Sequence, residues 1–190
     1  MRLLVRSSGN DSIMTLAFKD LHIRLARADE CLRIREIEDR AGEMFDGLGL
    51  IDESLDEGFP IEALERSIAL GQVWVACIDS DVPVGMVIVS VIGSSVYIEE
   101  MDVLPEFGRR RIGSRLLEYV CEWAADQGYR AATLSTFRDV PWNGPFYRRH
   151  GFRDLDPDEW SAEMAGIRKR EIDHGLCVES RIFMKRELSA

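Results

Sequence analysis

Three runs rich in β-branched residues follow one another with only short turns between them, and a helix-period run comes directly after the third. Val73 to Ile78, Val84 to Ile92 and Val96 to Leu104 read as strands. They are joined by Asp79-Ser80-Asp81-Val82-Pro83 and by Gly93-Ser94-Ser95, turns short enough to make the strands antiparallel neighbours. Ile112, Leu116, Leu117, Val120, Trp123 and Ala124 then recur at helical spacing up to Gly128, and Ala131 to Phe137 reads as a further strand. That succession requires an α/β (α+β) mixed sheet with an antiparallel first half and a strand-helix-strand unit at its centre.

The flanks add shorter elements. His22 to Ala26 alternates like a strand, and Asp29 stands where it can cap a helix whose apolar side is Leu32, Ile34, Ile37 and Ala41. Phe45 to Gly58 reads as a loop, and Pro60 opens a second helix through Ile61, Leu64, Ile68 and Leu70, ended by Gly71. Downstream lie a short helix over Trp142 to His150, a charged helix over Asp158 to Asp173 and a last strand over Val178 to Met184. Residues 1–20 read as a loosely attached extension and 21–190 as one domain, in keeping with a length of 190 residues.

Charge and cysteine usage narrow the setting. A formal charge of −10 argues against nucleic acid as a partner, because phosphate binding needs a dominant basic face. Cys31, Cys77, Cys121 and Cys177 are scattered, with neither the pairing of a disulfide framework nor the spacing of a zinc site. The opening Met1-Arg2-Leu3-Leu4-Val5-Arg6 soon turns polar, unlike a signal peptide, and no apolar segment is long enough to span a bilayer. The expectation is a cytoplasmic protein with no metal, no membrane and no nucleic acid to bind.

Against the acidic background Arg109-Arg110-Arg111 and Arg115 stand out. They belong to Val103-Leu104-Pro105-Glu106-Phe107-Gly108-Arg109-Arg110-Arg111-Ile112-Gly113-Ser114, which leads from a strand straight into a helix. The first turn of a helix has unpaired N–H groups and a partial positive charge. Arginines and Gly113 at that point suit an anion such as a phosphate, and Pro105 keeps these amides out of the strand ladder. The same residues also suit a plain strand-helix corner with a solvated basic rim.

The run from Glu99 to Leu117 resembles the acetyl-CoA-binding motif of the GNAT N-acetyltransferase superfamily: Val-x-Pro, then Gln/Arg-x-x-Gly-x-Gly/Ala and a Leu-rich helix. Val103, Pro105, Arg110, Ile112, Gly113, Leu116 and Leu117 match. Gly108 stands where the family has Gln or Arg, and Arg111 where it has the first motif glycine. Phe146-Tyr147-Arg148-Arg149-His150-Gly151-Phe152 resembles the family's Phe-Tyr-x-x-x-Gly-Phe segment; Val140 occupies the position of a frequent asparagine, and Asn143 stands closer by. The resemblance implies a GNAT-like acyl-CoA acyltransferase fold, a central mostly antiparallel sheet flanked by helices, with acetyl-CoA as cosubstrate. It implies that Met101, Asp102 and Val103 meet the pantetheine arm through their backbone. It implies a pyrophosphate cradle over Arg109, Arg110, Arg111, Ile112, Gly113 and Ser114, flanked by Gly108 and Arg115, with Asn143 and Phe146 also beside the cofactor.

Acyl transfer from a thioester needs a neutral amine and a proton for the departing thiolate. Deprotonating a lysine-like amine of pKa about 10.4 at pH 7 costs roughly 4–5 kcal/mol, so a base or water relay is useful. Glu99 and Glu100 lie on the strand before the corner, where the family often places such a carboxylate, and strict alternation would let one of them face the site. An exposed pair of edge acids is the alternative reading. Tyr147 matches the family's thiolate-protonating tyrosine, against the alternative that it packs the short helix into the core, which is the reading for Phe146. His22, His150 and His174 share no spacing, and Trp142 is the one tryptophan placed to line an amine pocket.

The loop between the first strands carries Glu43, Asp46, Asp52, Glu53, Asp56 and Glu57, which suit either a cationic amine or plain solvation. A small primary amine attacking directly in a ternary complex is the expected acceptor. A protein or peptide amine, a non-catalytic acyl-CoA sensor and a nucleic-acid module are the competitors, and a homodimer is left open.

Overall fold

The computed structural model describes residues 21–52, 58–79 and 81–189. The expected extension over residues 1–20, and the loop acids Glu53, Asp56 and Glu57, lie outside the described residues. Seven strands form one sheet: β1 (His22–Leu25), β2 (Val73–Ile78), β3 (Val82–Ile92), β4 (Ser95–Val103), β5 (Ala131–Phe137), β6 (Arg153–Asp154) and β7 (Arg181–Glu187), in the order β1-β2-β3-β4-β5-β7-β6. Every pairing is antiparallel except β4 with β5. The helices are α1 (Cys31–Gly42), α2 (Ile61–Ala69), α3 (Ile112–Asp126), α4 (Gly144–Arg149) and α5 (Ala162–Asp173). Among the described residues no helix is long and apolar enough to cross a membrane. The mixed, mostly antiparallel sheet flanked by helices is the expected architecture, with β4-α3-β5 as its parallel unit.

Several local expectations shift. Asp29 does not cap α1: residues Ala28–Glu30 form a 3₁₀ turn, and Glu30 accepts from the Arg27 N–H at 2.8 Å instead. Leu32 points to solvent, and Cys31, Ile34, Ile37 and Ala41 form the buried stripe. The charged helix starts at Ala162, where the Ser161 hydroxyl accepts from the Met164 N–H at 3.3 Å, and the last strand begins at Arg181. A serine one residue before a helix is the stronger cap. Trp142 and Asn143 precede α4 rather than joining it.

Register assigns the two faces of the sheet. Tyr97, Glu100 and Asp102 pair with Ser90, Ile88 and Met86, so these six residues share one face. α5 covers part of that face, with Met164 and Ile167 packing on Tyr97 and Phe183. Gly85 and Val103 face the other way, toward Leu116 of α3. There Trp74 meets Trp123 of α3 with ring centroids 4.6 Å apart. The charge of Glu38, from α1, acts on Asp102, so α1 overlies the acid-bearing face.

Candidate active site

The site begins where the sheet divides. β4 and β5 pair only from Ser95–Ala131 to Ile98–Leu134, after which Glu99 to Val103 and Ser135 to Phe137 diverge. A splay leaves backbone groups without ladder partners, and buried ones must be satisfied some other way. On β5, Arg181 reaches across from β7 and donates to the Ser135 carbonyl at 3.0 Å. A cleft of about 1740 Å³ opens at the splay, and Glu99, Glu100, Met101, Asp102 and Val103 all line it.

The corner between β4 and α3 forms one end of the cleft. Leu104 is buried and bonds back to Val84, Pro105–Phe107 make a 3₁₀ turn, and α3 then begins with Arg111 as its N-cap. The first helical bond runs from Arg115 N–H to Arg111 C=O at 3.0 Å, so the amides of Ile112, Gly113 and Ser114 face outward from the helix start. Those three residues line the cleft, as do Gly108, Arg109 and Arg111. Arg111 adopts φ 63°, ψ 16°, the left-handed conformation that favours glycine, and Arg109 has φ 58°. The position where the family motif carries glycine therefore keeps the glycine backbone here with an arginine side chain on it. Arg110 stands outside the lining, its guanidinium 5.5 Å from the Phe107 ring centroid. Arg115 is committed to the Leu21 carbonyl at 3.0 Å.

The acids follow a different geometry from the one strict alternation predicts. Ile88 pairs with Glu100 and Val89 with Ile98, which leaves Glu99 as the extra residue of a β-bulge. Ser90 donates to Glu99 Oε1 at 2.5 Å, and Ile88 shares its face with Ser90, so Glu99 and Glu100 both point to the acid-bearing face. The bulge re-aims one side chain, and the one-of-two choice does not arise. Glu100 also hydrogen-bonds the Asp102 carboxyl, and burial first, then the charges of Glu100 and Glu38, hold Asp102 well above the usual carboxylate range. Two carboxyls joined by a hydrogen bond share one proton, so the pair titrates as a unit.

Tyr147 approaches from α4. It is 7% exposed, its ring packs edge-on against Phe146 and Phe152, and it lines the cleft. Burial first, then the charges of Glu100 and Asp102, push its hydroxyl above the ordinary tyrosine value, so it stays protonated at neutral pH. α4 is set against the end of β5 by Gly144: a Cβ there would come within 3.0 Å of the Arg138 carbonyl carbon and closer to its oxygen. Phe146 extends toward the helix start, 3.8 Å from where a Cβ on Gly113 would lie. Asn143 lines the cleft and its buried Oδ1 has no hydrogen-bond partner.

Apart from Trp142, which the sequence placed at an amine pocket and which lines the cleft, the far end is built from residues that the sequence patterns did not single out. Arg181 donates to Glu171 at 2.9 Å and lies 4.7 Å from the Phe137 ring centroid. Arg168 is 2.7 Å from the other Glu171 oxygen, an ion pair by distance that lacks hydrogen-bond alignment. Phe45 meets Phe137 at 5.4 Å and Trp142 at 5.9 Å between centroids. The segment bearing Phe45 is tied to the chain after α5 by Cys177 N–H to Leu50 C=O at 2.9 Å and Asp52 N–H to Gly175 C=O at 3.0 Å. Glu171 here, and Glu38 beside Asp102, had a legible signal. Glu38 and Glu171 are acids in register with apolar stripes, four residues after Ile34 and Ile167.

One further cluster, His22, Cys77 and Asp81, brings three metal-type ligand atoms together. Asp81 is already held by Arg24 and Arg27 as well as His22, and two guanidinium charges oppose a cation there.

Fold and cleft together define an α/β protein that can hold an extended, phosphorylated ligand across a split sheet, with acids and a protonated tyrosine at the split. The acetyltransferase (GNAT) family model matches residues 33–152, well over half the chain, and the chain belongs to that family of acetyl-CoA-dependent acetyltransferases. Solved structures of similar fold include the PaiA N-acetyltransferase of Thermoplasma acidophilum in complex with coenzyme A. It is 17% identical with a TM-score of 0.70, and the match covers 88% of this chain and 99% of that one. N-acetylglutamate synthase of Neisseria gonorrhoeae, complexed with coenzyme A and N-acetyl-glutamate, is 16% identical with a TM-score of 0.71; the match covers 90% of this chain and 36% of that one. The ribosomal-protein-S18-alanine N-acetyltransferase of Escherichia coli is 16% identical with a TM-score of 0.61, covering 90% and 96%.

Proposed function

We propose that the protein transfers the acetyl group of acetyl-CoA to the primary amine of a small molecule by direct attack in a ternary complex. The observation that carries this reading is that the buried, protonated Tyr147 and the Glu100–Asp102 pair line one cleft at the β4–β5 splay. In this reading the outward amides of Ile112, Gly113 and Ser114, with the Arg109 and Arg111 charges, hold the pyrophosphate. The free edge of Met101, Asp102 and Val103 pairs with the pantetheine arm, which brings the thioester to the split. Glu99 or the Glu100–Asp102 pair takes the proton from the attacking ammonium, and the Tyr147 hydroxyl donates to the departing thiolate sulfur. Asn143 Oδ1, buried and unpartnered, is available to a polar group of the cofactor.

The test is Tyr147→Phe, which keeps the ring and its packing and removes only the hydroxyl. Released thiol is followed during turnover with polyamines, amino acids, aminoglycosides and peptides as acceptors. The best wild-type acceptor should lose roughly 10²–10⁴ in kcat, with acetyl-CoA affinity and melting temperature close to wild type. Undiminished turnover in a folded variant would return Tyr147 to a packing role. Turnover of peptides alone would replace the small-molecule reading.

A further inference from the structure

The end of the cleft beyond Tyr147 joins an aromatic wall to a set of acids. The wall draws on three elements that converge only in the fold: Phe45 from the 3₁₀ turn after α1, Phe137 at the end of β5 and Trp142 before α4. Phe45 is tilted on Phe137 and edge-on to Trp142, so the three rings form one continuous apolar surface. Phe137 is 3% exposed and backed by Arg181, which makes it a rigid floor. Trp142, by contrast, is 40% exposed and lines the cleft, as does Met44 at 40%. Large apolar side chains left open inside a concave site are surface that a ligand can cover.

Charge selects the ligand. Glu43 and Asp46 flank Phe45 and line the same cleft, while Glu99, Glu100 and Asp102 face it from β4. Of the described cations that line the cleft, Arg181 is committed to Glu171 and the Ser135 carbonyl, and Arg35 to Asp39 and the Phe59 carbonyl. The other cations that line it are exposed: Arg109 and Arg111 at the start of α3, and Arg149, Arg170 and His174. An acceptor bearing a carboxylate beside its amine would bring that carboxylate among these acids. A cation would be drawn in.

Resting on the acetyl-transfer reading above, we infer that the acceptor is a cationic primary amine carried on a flat apolar body. Its ring covers Phe45 and Trp142, and its ammonium reaches the Glu99–Glu100 bulge. Trp142 and Phe45 are then specificity-determining residues. Their contacts are made equally in the ground and transition states, so they act on KM rather than on kcat.

The test uses 2-phenylethylamine, ethylamine and L-glutamate as probe acceptors, with acetyl-CoA saturating and thiol release as the readout. Wild type should turn over 2-phenylethylamine with a KM at least tenfold below that of ethylamine, which has no ring. L-Glutamate should be the poorest of the three. Trp142→Ala should raise the KM for 2-phenylethylamine about tenfold, equivalent to about 1.4 kcal/mol, at little change in kcat. Trp142→Phe should restore most of the loss, and the melting temperatures should coincide because Trp142 is half open to solvent. Equal or better use of L-glutamate or ethylamine by wild type overturns the inference while leaving acetyl transfer to small amines standing. So does a Trp142→Ala variant that keeps the wild-type KM, or the absence of turnover with 2-phenylethylamine by a protein that acetyl-CoA stabilises. Failure of all small amines, with peptides turned over, removes the underlying reading as well.

Discussion

Gly144→Ala is the smallest change that should separate the placement of the tyrosine from the binding of the cofactor. The added methyl would lie 3.0 Å from the Arg138 carbonyl carbon, 3.1 Å from the Phe137 carbonyl oxygen and closer still to the Arg138 oxygen. All three are backbone atoms at the end of β5, in a strand whose other edge is paired to β7 as far as Phe137–Arg181, so they cannot swing aside as a side chain would. The first turn of α4 must lift instead. Overpacking of this kind costs about 1–3 kcal/mol. At about 2–4 °C per kcal/mol for a chain of this size, the melting temperature should fall by roughly 2–12 °C. Tyr147 lies three residues along the same short helix and moves with it. A displacement approaching 1 Å at a reacting group is enough to cost about 10² in rate. The helix start to which the proposed function gives the pyrophosphate belongs to α3, so acetyl-CoA should still raise the variant's melting temperature. Thermal melts with and without acetyl-CoA, and thiol release with the best wild-type acceptor, measure all three effects. A variant with wild-type stability and turnover would show that α4 does not press on the end of β5, and the account of how Tyr147 is positioned would fall with it.

Two further perturbations test the corner and the acid pair. Arg111→Gly removes a left-handed arginine, relieving about 1–2 kcal/mol of backbone cost against about 0.4–1 kcal/mol of added unfolded-state entropy. Its stability should therefore hold or rise by up to about 1.6 kcal/mol in urea unfolding, whereas Arg111→Val should lose stability; the reverse order would refute the left-handed assignment. Asp102 keeps its proton in the folded protein above its unfolded pKa, so its contribution to stability is full below about 3.9 and is lost as pH rises through the folded value. Asp102→Asn cannot ionise, so its melting temperature should gain on wild type as pH rises above about 4 and level off past the folded value, and parallel curves would show that Asp102 is not held protonated.

Much of the architecture is set by local pattern. The β-branched runs with short turns dictate an antiparallel block, and the helical spacing from Ile112 to Ala124 dictates the crossover that makes β5 parallel to β4. Both patterns report burial one residue at a time, which is why they can be read along the chain. The corner between β4 and α3 was equally legible as a strand-to-helix junction, because a proline, a glycine and clustered arginines where two periods meet act through neighbouring atoms. What tertiary structure alone decided is everything that depends on which distant groups meet. The Glu99 bulge arises from the register between β3 and β4, and no pattern within β4 announces an unpaired residue, so alternation allowed only one of the two acids to face the site where the structure turns both to it. The left-handed Arg111 is a conformation that its residue type disfavours, imposed by the turn that α3 must make to begin. Arg181 belongs to the site because the splay strands a carbonyl at Ser135, on a strand some 46 residues away in sequence. Phe45, Phe137 and Trp142 form a wall only because the segment after α1 is tied to the chain after α5. Local spacing encodes which face of an element is apolar; the partners that tune a carboxyl, hold a carbonyl or shape an acceptor pocket are set by chain closure over long separations.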